Sequence, residues 1–212
     1  MSLSRKPTIA AAILAGGHAA RCAGCPKALL TLPDGSTILG RMIAEIASAG
    51  ILRVAIVAND PEAYGRFGLP VVGDRRLGCG PLGGIEAALL HHRTEQDVLI
   101  LPCDLPAITS TEIFTLCDTF AAGTVPVVFA ETDGVWQPLC AVVSNDALGA
   151  VTAALDRGWT SPRRLWQDLG AVTVRFADPA PFFNVNTPED FDRWLRDPRA
   201  AVRERTTARR RE

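Results

Sequence analysis

Short apolar runs alternate along this chain with segments of helical periodicity, and most of the runs stop abruptly at glycine, asparagine or aspartate. "PTIAAAILA" (7–15) reads as a buried strand of the parallel type. "RVAIVAND" (53–60), "LPVVGD" (69–74), "DVLILPCDLP" (97–106), "TVPVVFAE" (124–131), "WQPLCAVVS" (136–144) and "AVTVRF" (171–176) read as further strands. Between them, "STILGRMIAEIASAG" (36–50) sets Ile38, Met42, Ile43 and Ile46 on one helical face and ends at Gly50, a natural C-cap. "GPLGGIEAALLHH" (80–92) opens as a glycine loop and continues as an apolar helix. "TSTEIFTLCDTF" (109–120) begins with a capping box, Thr109 to Glu112. Helices are also expected over 145–156 and near 162–169. Strand and helix alternate through the first two-thirds. The pattern predicts an α/β fold: one domain of three layers, α/β/α, around an open, mostly parallel sheet.

Open sheets of this kind bind ligands beyond the carboxyl ends of their strands. The residues found there are Gly16-Gly17, Asn59, Asp74 and Asp104. Late in the chain, "FFNVNTPEDFDRW" (182–194) sets Asn184 and Asn186 before a helix, with Thr187 as its N-cap and Pro188 as its first residue. Composition narrows the ligand. The formal net charge of 212 residues is −1, so no basic surface for nucleic acid is expected. No apolar run is long enough to span a membrane, and the N-terminus lacks a secretory pattern. A cytoplasmic protein is expected.

Residues 14–30, "LAGGHAARCAGCPKALL", carry two overlapping motifs. Cys22-x-x-Cys25 has the spacing of a redox dithiol or half a zinc site. The six cysteines (22, 25, 79, 103, 117 and 140) are too few for a disulfide scaffold of this length, and only the first two form a close pair. A thioredoxin-like pair should follow a strand and open a helix directly, whereas this one follows a Gly-Gly turn and precedes proline. His18 is near the pair; His91 and His92 read as a partly exposed helix end. The second motif is a flexible loop ending in cations. Gly16 and Gly17 let backbone N–H groups approach phosphates or a purine edge, and Arg21 and Lys27 add positive charge. Lys27 is one of two lysines against twenty arginines. A compact ammonium suits a crowded phosphate site; taken alone, a solvated lysine at a loop end explains it equally. Neither G-x-x-x-x-G-K-[ST] nor G-x-G-x-x-G is present after the first strand, which disfavours a P-loop NTPase and a Rossmann dehydrogenase.

"LILPCDLP" drives apolar residues inward and then presents Asp104. A carboxylate at a strand end can hold Mg²⁺ through one or two oxygens while substrate phosphates complete the octahedron. The alternative is a turn or capping aspartate before Pro106. With the glycine loop and Lys27 in the same chain, the metal reading is preferred.

"LAGG…R…G…K", "GPLGG", "PCDLP" and "NVNTPED", in this order, resemble the molybdenum cofactor guanylyltransferase family, the MobA family, over nearly the whole chain to about residue 195. The resemblance implies a Rossmann-like nucleotidyltransferase fold. It implies transfer of GMP from GTP to molybdopterin, a pterin dithiolene with a terminal phosphate, giving the guanine dinucleotide form and pyrophosphate, with Mg²⁺ as cofactor. By the same resemblance, Leu14, Ala15, Gly16 and Gly17 belong to the nucleotide loop, Lys27 binds the triphosphate, and Asn59 and Asp74 match nucleotide-binding positions. Asp104 matches the metal ligand, with Arg21 a second catalytic cation beside Lys27. Gly24 and Gly84 match glycines near the substrates, and Asn184 and Asn186 the pair on the pterin side. Residues 1–195 would form the transferase domain, nucleotide-binding in the N-terminal half and pterin-binding in the C-terminal half. Residues 196–212, with seven arginines and three acidic residues, would form a disordered tail. Expected partners are GTP, molybdopterin, and apo-molybdoenzymes or their chaperones, with neither nucleic acid nor membrane.

The chain departs from the family pattern at Cys22, Ala23 and Pro26, where the family has methionine, glycine and aspartate. The CxxC is then an accident of replacement inside a nucleotide loop. Four other functions stay open on the sequence: a cytidylyltransferase acting on the same pterin, a sugar-phosphate or terpenoid-precursor nucleotidyltransferase, a non-catalytic molybdopterin carrier and, last, a redox or zinc CxxC protein.

Overall fold

A computed structural model describes residues 9–16, 21–22, 25–93 and 97–197. The main strands are β1 (Ile9–Leu14), β4 (Val54–Val57), β5 (Val71–Val72), β6 (Asp97–Pro102), β7 (Val127–Thr132), β8 (Val135–Val143) and β9 (Val172–Phe176). They form one sheet of seven strands in the order β5-β4-β1-β6-β8-β7-β9. β8 runs antiparallel to both its neighbours and the other pairings are parallel, as expected for a mostly parallel sheet. Two-residue strands β2 (Arg21–Cys22) and β3 (Cys25–Pro26) pair separately.

Alternation along each strand builds two cores, because successive side chains leave opposite faces. On β6, Leu99 and Leu101 enter one apolar cluster, while Val98 and Ile100 enter the other. The first cluster is covered by α1 (Ile38–Ser48) and α4 (Ser110–Ala122). The second is covered by α3 (Gly80–His91), α5 (Leu148–Asp156) and α6 (Pro162–Asp168). Helices therefore lie on both faces of the sheet, as predicted.

Local sequence explains where the elements stop. α1 ends as a Schellman motif: Gly50, at φ 86°, donates to Ala47 O at 2.9 Å, and Ile51 donates to Ile46 O at 3.2 Å. Thr109 and Glu112 form the expected capping box of α4, and Thr187 and Asp190 form one at the start of α7 (Pro188–Arg196). β7 and β8 are joined through Asp133-Gly134, at φ 50° and 74°, a pair suited to a tight turn with both φ values positive.

Two expectations change. "GPLGG" is the opening of α3 rather than a loop: Pro81 fits a first helical turn, and the helix packs on the sheet at Gly84. A Cβ on Gly84 would stand 3.3 Å from Leu14 Cδ2 and 3.5 Å from Val57 Cγ1. A short helix, α2 (Pro61–Tyr64), was also not anticipated; Asp60 caps it and Pro61 starts it. His91 is exposed and His92 half-buried at the end of α3, as expected. Among the described residues, no helix is long and apolar enough to cross a membrane.

Candidate active site

The strand ends at the sheet centre gather the residues that the sequence marks as chemical. Lys27 opens a short 3₁₀ turn behind Pro26 and is only 3% exposed. Lysine is almost never buried so deeply without partners, and here it has them. Its Nζ donates to Asn186 Oδ1 at 3.0 Å and lies 3.8 Å from Asp104 Oδ2. Asp104 follows β6, with its side chain 15% exposed. Its Oδ1 accepts from Asn184 Nδ2 at 2.9 Å, and its backbone carbonyl accepts from the Val185 amide at 2.9 Å. The solvated-lysine reading is thereby excluded, and Thr109, not Asp104, caps α4.

The asparagine segment is held by its own helix cap. Asp190 accepts from the Asn186 and Thr187 amides at 3.0 and 3.2 Å. Thr187 and Asp190 thus serve as structural caps, while the Asn186 side chain turns to Lys27. Four groups from three distant segments become one polar cluster.

Asn59 and Asp74 form a second cluster beyond β4 and β5. Asn59 Nδ2 donates to Asp74 Oδ2 at 3.0 Å, and the Asp74 amide donates to Asn59 Oδ1 at 2.8 Å. Gly16 lies between the clusters. A Cβ there would be 3.6 Å from Val57 O and 4.0 Å from Asp74 Oδ2. Gly84 lies beneath, its Cβ position 3.7 Å from Asp74 Oδ1. Leu14 is half-buried and Ala15 buried at the end of β1. Gly17, Gly24 and the side chains of Arg21, Cys22 and Cys25 lie outside the described residues, as does 198–212 of the proposed tail.

Sequence reasoning missed two supports. Tyr64, the only tyrosine, is buried and donates from its hydroxyl to Ala15 O at 3.2 Å, fixing the base of the glycine loop. The signal was the capped, proline-started turn "NDPEAY". Arg76 ties the segment after Asp74 to two helices, meeting Asp156 Oδ1 at 2.5 Å and Glu86 Oε2 at 3.5 Å. No local pattern marks that bridge.

The neighbouring cysteine is not a nucleophile. Cys103 adjoins Asp104 but is fully buried, and burial, helped by the Asp104 charge, pushes its thiol up to about 12. It stays protonated at neutral pH. The cluster therefore offers a fixed ammonium, an oriented carboxylate and two amides at a sheet edge. Those groups can hold phosphates and stabilise charge; they do not form a nucleophile–base pair.

Comparison with known proteins agrees with that chemistry. Residues 11–172 match the MobA-like NTP transferase domain. The molybdenum cofactor guanylyltransferase of Vibrio parahaemolyticus is 32% identical over 180 residues, 84% of this chain and 90% of that one. Molybdopterin-guanine dinucleotide biosynthesis protein A of Archaeoglobus fulgidus superposes with a TM-score of 0.70 at 20% identity, covering 93% of this chain and 98% of its own. A manganese complex of a Mycobacterium tuberculosis H37Rv protein gives 0.67 at 18% identity, covering 90% and 99%. On the extent of the sequence match, this chain belongs to the MobA-like NTP transferase family and is a nucleotidyltransferase.

Proposed function

We propose that this protein transfers GMP from GTP to molybdopterin, releasing pyrophosphate and forming the guanine dinucleotide form of the molybdenum cofactor. The observation that carries the proposal is the buried ammonium of Lys27, held by Asn186 beside Asp104. A terminal phosphate oxygen of molybdopterin attacks the α-phosphorus of GTP in line, and pyrophosphate leaves. The attacking oxygen is already anionic, so no general base is required. What the reaction lacks in water is a way to bring two anions together, and positioned charge supplies it.

Lys27 has that role. Its Nζ is fixed by Asn186, so little reorganisation is needed as charge builds on the leaving phosphates. Arg21 is the second cation we assign to the loop. The backbone of Leu14 to Gly17, with Gly24, receives the nucleotide, and Asn59 and Asp74 bind it from the neighbouring strand ends. Asn184 and Asn186 border the acceptor, whereas Gly84, expected on that side, is buried beneath Asp74 and serves the close approach of α3 to the sheet. Asp104 is the residue that would hold Mg²⁺. Among the described residues no group of three or more His, Cys, Asp or Glu side chains could hold a metal, and Mg²⁺ suits a site of one carboxylate completed by substrate phosphates and water. When bound, the ion would neutralise phosphate charge and favour the leaving pyrophosphate. The reading also carries a cytoplasmic location and delivery of the product to apo-molybdoenzymes or their chaperones.

The experiment is calorimetric titration of the protein with GTP, CTP and ATP in the presence of Mg²⁺. GTP binding about tenfold tighter than CTP, ~1.4 kcal/mol, supports guanylyl transfer. Tighter CTP binding replaces it with cytidylyl transfer, and no nucleotide binding overturns the proposal.

A further inference from the structure

Two indoles and three arginines form a cluster on the other half of the same sheet edge. Arg164 Cζ lies 4.3 Å from the centroid of the Trp159 ring, and Arg157 Cζ 5.9 Å from it. Arg163 Cζ lies 5.0 Å from the Trp136 ring. Trp136 is braced edge-on against buried Phe129, with centroids 5.1 Å apart.

Topology places the cluster beside the site. Trp136 pairs with Glu131 near the carboxyl end of β7, in the part of β8 that precedes its pairing with β6 at Ala141. The loop carrying Trp159 packs on the start of α3. Leu82 donates to Thr160 O at 3.1 Å, and a Cβ on Gly80 would meet Thr160 O at 3.0 Å. One turn further along α3, Gly84 faces Asp74.

The charges there are uncommitted. Arg157, Arg163 and Arg164 are exposed, and among the described residues none pairs with a carboxylate. By contrast, Arg76 in the adjoining segment is held by Glu86 and Asp156. Guanidinium groups standing over indoles keep N–H donors for an oxyanion, and the half-buried indoles offer aromatic surface to a ring.

We infer that Trp136, Trp159, Arg163 and Arg164 form the wall that receives the second substrate, a planar heteroaromatic carrying a phosphate. The inference rests on the proposed function and names residues for the acceptor that neither motif nor comparison assigns. The indoles take the fused ring, and the arginines take the acceptor's negative charge.

The test is steady-state kinetics of Arg163→Ala/Arg164→Ala with GTP and molybdopterin, following pyrophosphate, with GTP affinity measured separately by calorimetry. The expected result is a KM for molybdopterin raised tenfold or more, with GTP affinity within twofold of wild type. Arg163→Lys/Arg164→Lys, which keeps charge and loses the planar guanidinium, should fall between. Molybdopterin should also quench the tryptophan fluorescence of the wild type, and much less that of Trp136→Phe/Trp159→Phe. An unchanged KM for molybdopterin, or a loss of GTP affinity in its place, overturns the assignment while leaving guanylyl transfer standing. Wild-type protein that makes no dinucleotide from GTP removes the function and this wall together.

Discussion

The ammonium of Lys27 donates a 3.0 Å hydrogen bond to the side-chain oxygen of Asn186, across 159 positions of sequence. The bond joins the loop after β1 to the turn before α7. It fixes a buried cation 3.8 Å from Asp104, and a hydrogen bond to a charged group is worth about 1.5–3 kcal/mol.

Lys27→Ala should lower kcat by ~10²-fold or more, the scale for losing one oriented charge stabiliser. Lys27→Arg should not restore it, because a planar guanidinium cannot occupy the space of a buried ammonium. Pyrophosphate release measures the loss, and circular dichroism shows whether the fold survives. Near-normal turnover in the alanine variant would remove Lys27 from the mechanism.

Asn184 donates to Asp104 at 2.9 Å. Asn184→Asp replaces that donor with a second carboxylate, and two carboxylates sharing a site raise the pKa of the pair. The acid limb of the kcat/KM profile should move upward by about one pH unit or more. An unmoved limb would mean that ionised Asp104 is not required.

His92 gives a pH-dependent stability. Burial, followed by the neighbouring His91 charge, lowers its pKa from 6.5 to about 4 in the folded chain. Above pH 6.5 the imidazole is neutral in both folded and unfolded states and stability does not respond to it. Between 6.5 and about 4 the unfolded chain binds the extra proton, so stability falls as pH falls. Thermal melts from pH 8 to 4 should show a shallower acid decline in His92→Gln than in wild type. Parallel curves would contradict the assignment.

Arg76 is the partner of a carboxylate that is 1% exposed, Glu86. Thr152 donates to the other Glu86 oxygen at 2.9 Å. Arg76→Ala leaves the buried charge without its cation and should cost ~2–3 kcal/mol, at the low end for a broken buried pair because Arg76 is itself partly exposed. Glu86→Gln in the same background should recover part of the loss, and urea titrations of the double-mutant cycle read the coupling.

Cys22→Ser/Cys25→Ser should keep activity within about twofold, because no step of the proposed transfer uses either thiol. A larger loss, or zinc in the purified protein, would restore the dithiol or metal reading of that motif.

Every main strand was legible because apolar runs of strand length alternate with helical periods, and most of those runs end at glycine, asparagine or aspartate. α1, α4 and α7 were legible because caps and a 3.6-residue period are local properties. Asp104 was legible as a carboxylate at a strand end. Its partners were not, since nothing near position 104 encodes Asn184. The opening of α3 was misread because Gly-Pro-Leu-Gly-Gly has loop composition; only the close approach of Leu14 and Val57 explains why a helix would use glycine there. Tyr64 and Arg76 were missed because each acts on a backbone or charge far away in sequence.

The sequence by itself determined the type and order of the elements, since propensity, periodicity and capping depend on residues a few positions apart. Tertiary structure alone decided which chemical groups meet. It buried Lys27 between Asn186 and Asp104, set Asn59 on Asp74, and laid Arg163 and Arg164 over indoles on the same sheet edge. Those meetings depend on how a parallel sheet orders its strands and collects their carboxyl ends along one edge, and contact across that edge leaves no period or spacing in the chain.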